Sequence, residues 1–104
     1  MEVLTDLRGG SPTYGRSEYF NLTGGDGLAL YVPVGIAHGF YVTSETAAML
    51  YKLSHKYCAG SDLGILWNSI GFEWPNSRPI VSPRDAALPP LAEFETPFTF
   101  TSTE

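Results

Sequence analysis

The stretch Ser44-Glu45-Thr46-Ala47-Ala48-Met49-Leu50-Tyr51-Lys52-Leu53-Ser54-His55-Lys56-Tyr57 decides the fold class. Ala47 to Leu53 are mostly good helix formers and Ser44 is a candidate N-cap, so local propensity leans towards a short helix. Read with period two, Met49, Tyr51, Leu53, His55 and Tyr57 share one face of a strand, and Leu50 and Lys52 face the other way. The first reading gives a mixed domain. The second gives an all-β one.

The sequence on either side favours β. Met1 to Leu7 reads as a strand, followed by a turn at Arg8-Gly9-Gly10-Ser11-Pro12-Thr13. Ser17 to Leu22 and Leu28 to Val32 read as paired strands joined by Thr23-Gly24-Gly25-Asp26-Gly27, a run rich in residues that tolerate positive φ. Pro33-Val34-Gly35 stops the second of these. Gly39 to Thr43 is dense in β-formers, and Leu63 to Trp67 is a further short strand. Glycine and proline recur so often that no helix much longer than about 15 residues fits. Six of the eight prolines lie from Gly71 onward, so that part is expected to run over a surface. Within it, Ser82 to Ala87 fits one helical turn. The last ten residues are expected to fray, with Phe98 and Phe100 able to dock on a neighbour.

Composition bounds the function. A length of 104 residues allows one domain, and 43% hydrophobic with 13% aromatic residues can build a core. Charged residues are only 16%, which excludes a highly charged disordered chain. The net charge of −5, with six Lys and Arg, argues against a nucleic-acid surface. No run approaches the roughly 18 apolar residues of a membrane span, and MEVLTDLRGG has no signal-peptide pattern. The one cysteine, Cys58, cannot form an internal disulfide, so a cytoplasmic setting is expected.

Few residues carry chemistry. His38 and His55 lie 17 residues apart, with no H-x-H, C-x-x-C or H-E-x-x-H, so no metal site is expected. His55 beside Lys56 reads as solvated. His38 is a polar residue amid Val34, Ile36, Ala37 and Phe40, which composition alone reads as a hydrogen-bonded, partly buried histidine. Tyr51 and Tyr57 share a face if the stretch is a strand. A phenol beside a cleft can act as a general acid where an enolate develops, and the plainer account is a core tyrosine with a satisfied hydroxyl. Asp85 could orient a histidine. Its plainer roles are a helix cap or a surface pair with Arg84, the latter under about 1 kcal/mol. Asn21-Leu22-Thr23 fits a glycosylation sequon by chance, and Gly24 to Gly27 is turn geometry with no G-K-[ST] after it.

Six segments then fall in order: Asp6-Leu7-Arg8 with Ser11-Pro12-Thr13-Tyr14-Gly15; Val32-Pro33-Val34-Gly35-Ile36-Ala37-His38-Gly39-Phe40; Leu50-Tyr51-Lys52; Gly64-Ile65-Leu66-Trp67-Asn68; Gly71-Phe72-Glu73-Trp74-Pro75; and Ser82-Pro83-Arg84-Asp85-Ala86-Ala87. Together they resemble the C-terminal part of the dTDP-4-dehydrorhamnose 3,5-epimerases, sugar-nucleotide enzymes of the cupin class. The resemblance covers about residues 2 to 92. It implies an all-β, truncated cupin-like jelly roll (an antiparallel sandwich) over 1–92, with a Pro-rich, extended or frayed tail over 93–104. It also implies a strand at Ala47 to Tyr57, and chemistry without a metal or other cofactor.

In that family a histidine base removes protons beside a ketone, an aspartate orients it, and a tyrosine opposite returns the proton. The resemblance matches the tyrosine to Tyr51 and the aspartate to Asp85, and makes His38 a second histidine near the sugar. Tyr57 matches an aromatic lining the cleft. Lys52, Trp67, Glu73 and Arg84 lie in the matching segments as candidate ligand contacts. The chain also departs from the pattern. The R-G-x-H segment that carries the family's base is absent from the 104 residues. Lys56 stands where tyrosine is frequent, and Ser69 where aspartate is common.

The expectation is an epimerase-like protein that binds a sugar or sugar nucleotide without full epimerase activity. Loss of a general base alone costs about 10²–10⁴ in rate. The alternative is an active isomerase on a 4-keto sugar, with Tyr51 as acid and His38 or a partner-chain group as base. A pure assembly subunit is the third reading. In each case a homodimer covering open sheet edges is expected.

Overall fold

The computed structural model describes residues 1–101. Its centre is β1 (Glu2–Asp6), flanked on both sides to give an antiparallel sheet of order β2-β1-β3 with β2 (Ser17–Phe20) and β3 (Ile36–Phe40). The register places Glu2 opposite Phe20 and Phe40, and Leu4 opposite Glu18 and His38. Four of the five β1 residues are buried, because both its edges are paired and both its faces are covered. Val3 and Leu7 form the buried apolar centre. The domain is all-β and cupin-like in class, with little helix.

A turn fixes the exit of β1. The Asp6 carboxylate accepts from the Arg8 backbone N–H (2.9 Å), Arg8 Nε (3.0 Å), Arg8 Nη2 (3.0 Å), Ser11 Oγ (2.6 Å) and Thr13 Oγ1 (2.6 Å). These bonds hold its carboxyl well below the usual range, the Arg8 guanidinium contributing most. The expected turn at 8–13 is therefore built around a buried carboxylate. Gly35 enters β3 at φ +90°, and a Cβ there would lie 2.5 Å from Arg8 Cγ. Only glycine fits both the conformation and the space.

Three expected strands are absent. Residues 28–32 are not a strand and do not pair with β2, whose ladder is taken by β1. Leu28 and Tyr31 are largely exposed, so this run has no buried face to hold it in a sheet. Leu63 to Trp67 is irregular and leads into a 3₁₀ turn at Trp67–Ser69; the Leu66 N–H donates to the Pro89 carbonyl (2.8 Å) across the Pro-rich segment. Residues 44–57 are neither the helix of local propensity nor the strand implied by the family. β3 spends its ladder on β1, and among the described residues no strand supplies a second partner. Leu50, Leu53 and Tyr57 are exposed, and a helix this short is marginal without an apolar surface to pack on.

The Pro-rich part carries α1 (Pro83–Ala86), the expected helical turn, where Ser82 Oγ accepts from the Asp85 N–H (3.1 Å) and Pro83 opens the helix. The tail is fixed at 96–100. Thr96 Oγ1 donates to the Leu7 carbonyl, Gly9 N–H to the Phe98 carbonyl (2.8 Å), and Phe100 N–H to the Gly9 carbonyl (2.9 Å). The Arg8 guanidinium lies 5.0 Å from the Phe100 ring centroid. Fraying of the last ten residues is thus corrected for 96–100, where the open backbone of the Leu7–Gly9 turn captures the tail. Residues 102–104 lie outside the described residues.

Candidate functional site

Strand register brings the site together. His38 stands opposite Leu4, two residues from the Phe40–Glu2 pair, so His38 and Glu2 share a sheet face. The imidazole Nδ1 lies 3.7 Å from Glu2 Oε2. The Glu2 side chain is only 7% exposed, and Oε2 has no hydrogen-bond partner. Burial pushes the Glu2 carboxyl above its ordinary value, while His38 and the Met1 amino group pull it back.

Tyr51 covers the outer side of His38, with ring centroids 5.6 Å apart and planes tilted by 55°. The phenol is pushed up, first by burial and then by the Glu2 charge. It is therefore a neutral hydrogen-bond donor near neutral pH. His38 itself is more open than the sequence suggests, with 38% of its side chain exposed.

Beside this pair runs a groove of about 680 Å³, lined in part by His38, Tyr51, Trp67, Trp74, Arg84 and Asp85. Trp74 Nε1 donates to the Trp67 carbonyl (2.9 Å). Trp67 meets Trp74 edge-on at 6.1 Å, and Phe72 meets Trp74 at 5.1 Å. This aromatic block is suited to the apolar face of a sugar or to a base. A smaller pocket of about 80 Å³ adjoins it, lined by Val3 and Thr5 and sharing His38, Trp67 and Trp74 with the groove.

The structure thus gathers five of the residues singled out from sequence: His38, Tyr51, Trp67, Arg84 and Asp85. Lys52, Tyr57 and Glu73 are exposed and do not line the groove. Asp85 Oδ1 accepts from Arg84 Nη1 (2.8 Å), and Arg84 Nη2 also donates to Asp62 Oδ2 (3.0 Å). These carboxylates raise the Arg84 guanidinium further, Asp85 foremost. Asp85 makes no bond to a histidine among the described residues; the carboxylate beside His38 belongs to Glu2. Sequence reading missed Glu2 because an acid at a strand end reads as solvated, and only its register with His38 could have shown it. Among the described residues no three His, Cys, Asp or Glu side chains converge as a metal site. Among the same residues, no helix is long and apolar enough to cross a membrane.

The fold and groove define a small all-β, cupin-like domain with a polar pair set against an aromatic wall. The family model for dTDP-4-dehydrorhamnose 3,5-epimerase matches residues 1–93. The chain belongs to that family. It is 44% identical over 94 residues to the dTDP-4-dehydrorhamnose 3,5-epimerase of Salmonella typhimurium, covering 88% of this chain and 51% of that protein. It is 35% identical over 103 residues to the same-named protein of Sinorhizobium fredii, covering 96% and 53%. A dTDP-4-dehydrorhamnose 3-epimerase of Streptomyces niveus is 38% identical over 95 residues, covering 89% and 46%. The chain spans about half the length of these curated relatives. No solved structure matches.

Proposed function

We propose that these 104 residues bind a sugar nucleotide in the groove beside His38 and Tyr51, and that they do not by themselves carry full epimerase activity. The observation that carries this reading is the His38–Tyr51 pair, 5.6 Å apart at the edge of a groove walled by Trp67 and Trp74. The relatives' names supply the ligand class, a dTDP-linked deoxysugar. Tyr51 and Arg84 are the polar contacts, and the tryptophans take the apolar face. Asp85 is held by Arg84, so the family's aspartate-to-histidine arrangement is not assembled by these residues.

The second reading is an active isomerase on a 4-keto sugar. It is favoured by the Glu2 carboxylate behind His38, which could support that imidazole as a base, with Tyr51 as the acid. Incubation with dTDP-4-keto-6-deoxyglucose in D₂O, followed by NMR, separates the two. Saturable binding without deuterium entry at C3 and C5 supports the first reading. Exchange that disappears in Tyr51→Phe overturns it in favour of the second.

The reading includes a two-fold homodimer. β2 and β3 are edge strands, and Tyr19, Phe20 and Phe40 on them are 55%, 39% and 47% exposed. Unpaired edges with exposed aromatics invite pairing. Light scattering at micromolar concentration should give twice the chain mass; a monomer contradicts it. A cytoplasmic setting fits the single, exposed Cys58.

A further inference from the structure

Glu2 is the one buried side chain in the described residues whose polar atom lacks a partner. Buried carboxylate oxygens are costly to leave unpaired, so each such oxygen calls for a donor. The sheet supplies one candidate. The 3.7 Å from Oε2 to His38 Nδ1 exceeds an N–H···O bond by about 0.8 Å, within reach of a small ring movement. The imidazole therefore spans two environments. Its Nδ1 edge faces a carboxylate oxygen buried from solvent, Glu2 Oε2, and the ring also packs against Tyr51 and lines the groove.

We infer that Glu2 is a positioning residue that fixes neutral His38 with its proton on Nδ1, leaving Nε2 unprotonated as the acceptor presented to the groove. The partner of one ring nitrogen sets the state of the other. In water a neutral histidine prefers the opposite tautomer, so this arrangement is a property the protein imposes. Its consequence for ligands rests on the proposed sugar-nucleotide reading. An Nε2 acceptor selects a sugar hydroxyl or another O–H donor at that position. Tyr51 supplies the complementary donor, its phenol kept protonated by burial and by the same Glu2 charge.

The test uses the full chain labelled with ¹⁵N, without ligand, at a pH where His38 is neutral. The expected spectrum has Nδ1 in the range of a protonated, pyrrole-like nitrogen and Nε2 in that of an unprotonated, pyridine-like one. Glu2→Met keeps the side-chain length but removes the acceptor, and should return His38 to the Nε2–H tautomer. Glu2→Asp should retain the Nδ1–H tautomer at least in part. A wild-type His38 protonated on Nε2 overturns the inference, and so does a Glu2→Met spectrum with an unchanged tautomer. If Glu2→Met fails to fold, the wild-type spectrum decides. A parallel titration with a dTDP-sugar should show affinity about two- to tenfold weaker in Glu2→Met, the loss of one hydrogen bond. Absence of any dTDP-sugar binding would remove the ligand reading and leave the tautomer result standing.

Discussion

Arg8 grips Asp6 with both ends of its guanidinium, Nε on Oδ1 and Nη2 on Oδ2, each at 3.0 Å. The pair closes the turn after β1, and its other side holds the tail through Phe100. One buried carboxylate thereby ties the sheet to residues nearly the whole chain away. Asp6→Asn removes the charge and strands several donors at once. It should lower stability by about 2–3 kcal/mol, the worth of one to two charge-assisted hydrogen bonds, as read by urea denaturation near neutral pH. A loss under about 0.5 kcal/mol would show that water replaces the network.

Two acids on β1 give opposite pH dependences. Asp6 is depressed from its ordinary 3.8. Its folded form binds fewer protons than the unfolded chain, so its stabilisation is complete above that value and is lost as pH falls towards the folded value. Glu2 is raised from its ordinary 4.5. Its contribution is complete below that value and is lost as pH rises through the raised folded value. Asp6→Asn should therefore flatten the acid side of the stability curve. Glu2→Met should flatten the decline above pH 4.5 and be at least as stable as wild type at neutral pH, since it removes a carboxylate whose burial costs more than His38 and the Met1 amino group return. Urea midpoints measured across this range check both slopes. A steeper decline above pH 4.5 in Glu2→Met contradicts the assignment.

Two glycines separate conformational strain from steric overlap. Gly10, at φ +84°, has open space where a side chain would stand, while Gly35, at φ +90°, would press a Cβ to within 2.5 Å of Arg8 Cγ and 3.4 Å of Phe98 Cβ. Gly10→Ala should cost about 1 kcal/mol, the conformational cost alone. Gly35→Ala should cost more, about 2–4 kcal/mol, because Arg8 must also leave Asp6 or Phe98 must move. Denaturation midpoints of the two variants, measured side by side, give the comparison; equal losses would show that Arg8 yields freely.

What could be read from the sequence was local. Asp6, Arg8, Ser11 and Thr13 lie within eight residues, and Ser82 caps a helix three residues on, so turn and cap chemistry was legible without knowing the fold. Strands could not be read this way, because a strand exists only where a partner backbone meets it. Residues 28–32 and 44–57 have the right composition, yet neither finds a ladder. The site was half legible. His38 stood out as a polar residue in an apolar run, and Tyr51 through its place in a family segment. Glu2 was invisible until register set its Phe40 pair two residues from His38. The tail reads as loose by composition, but Thr96 and Phe98 meet the Leu7–Gly9 backbone across a separation no local pattern encodes.

The proposal that His38 and Tyr51 form the contact face of a sugar-nucleotide groove has a direct test. The ¹⁵N,¹³C-labelled chain is titrated with a dTDP-linked deoxysugar while the side-chain resonances of His38, Tyr51, Trp67 and Trp74 are followed. These four should move together and saturate along one binding curve, while Tyr57 and Lys52, outside the groove, stay in place. Tyr51→Phe should weaken that curve about two- to tenfold, the loss of one hydrogen bond. Linear shifts without saturation, or saturable shifts confined to residues away from His38 and Tyr51, would contradict it.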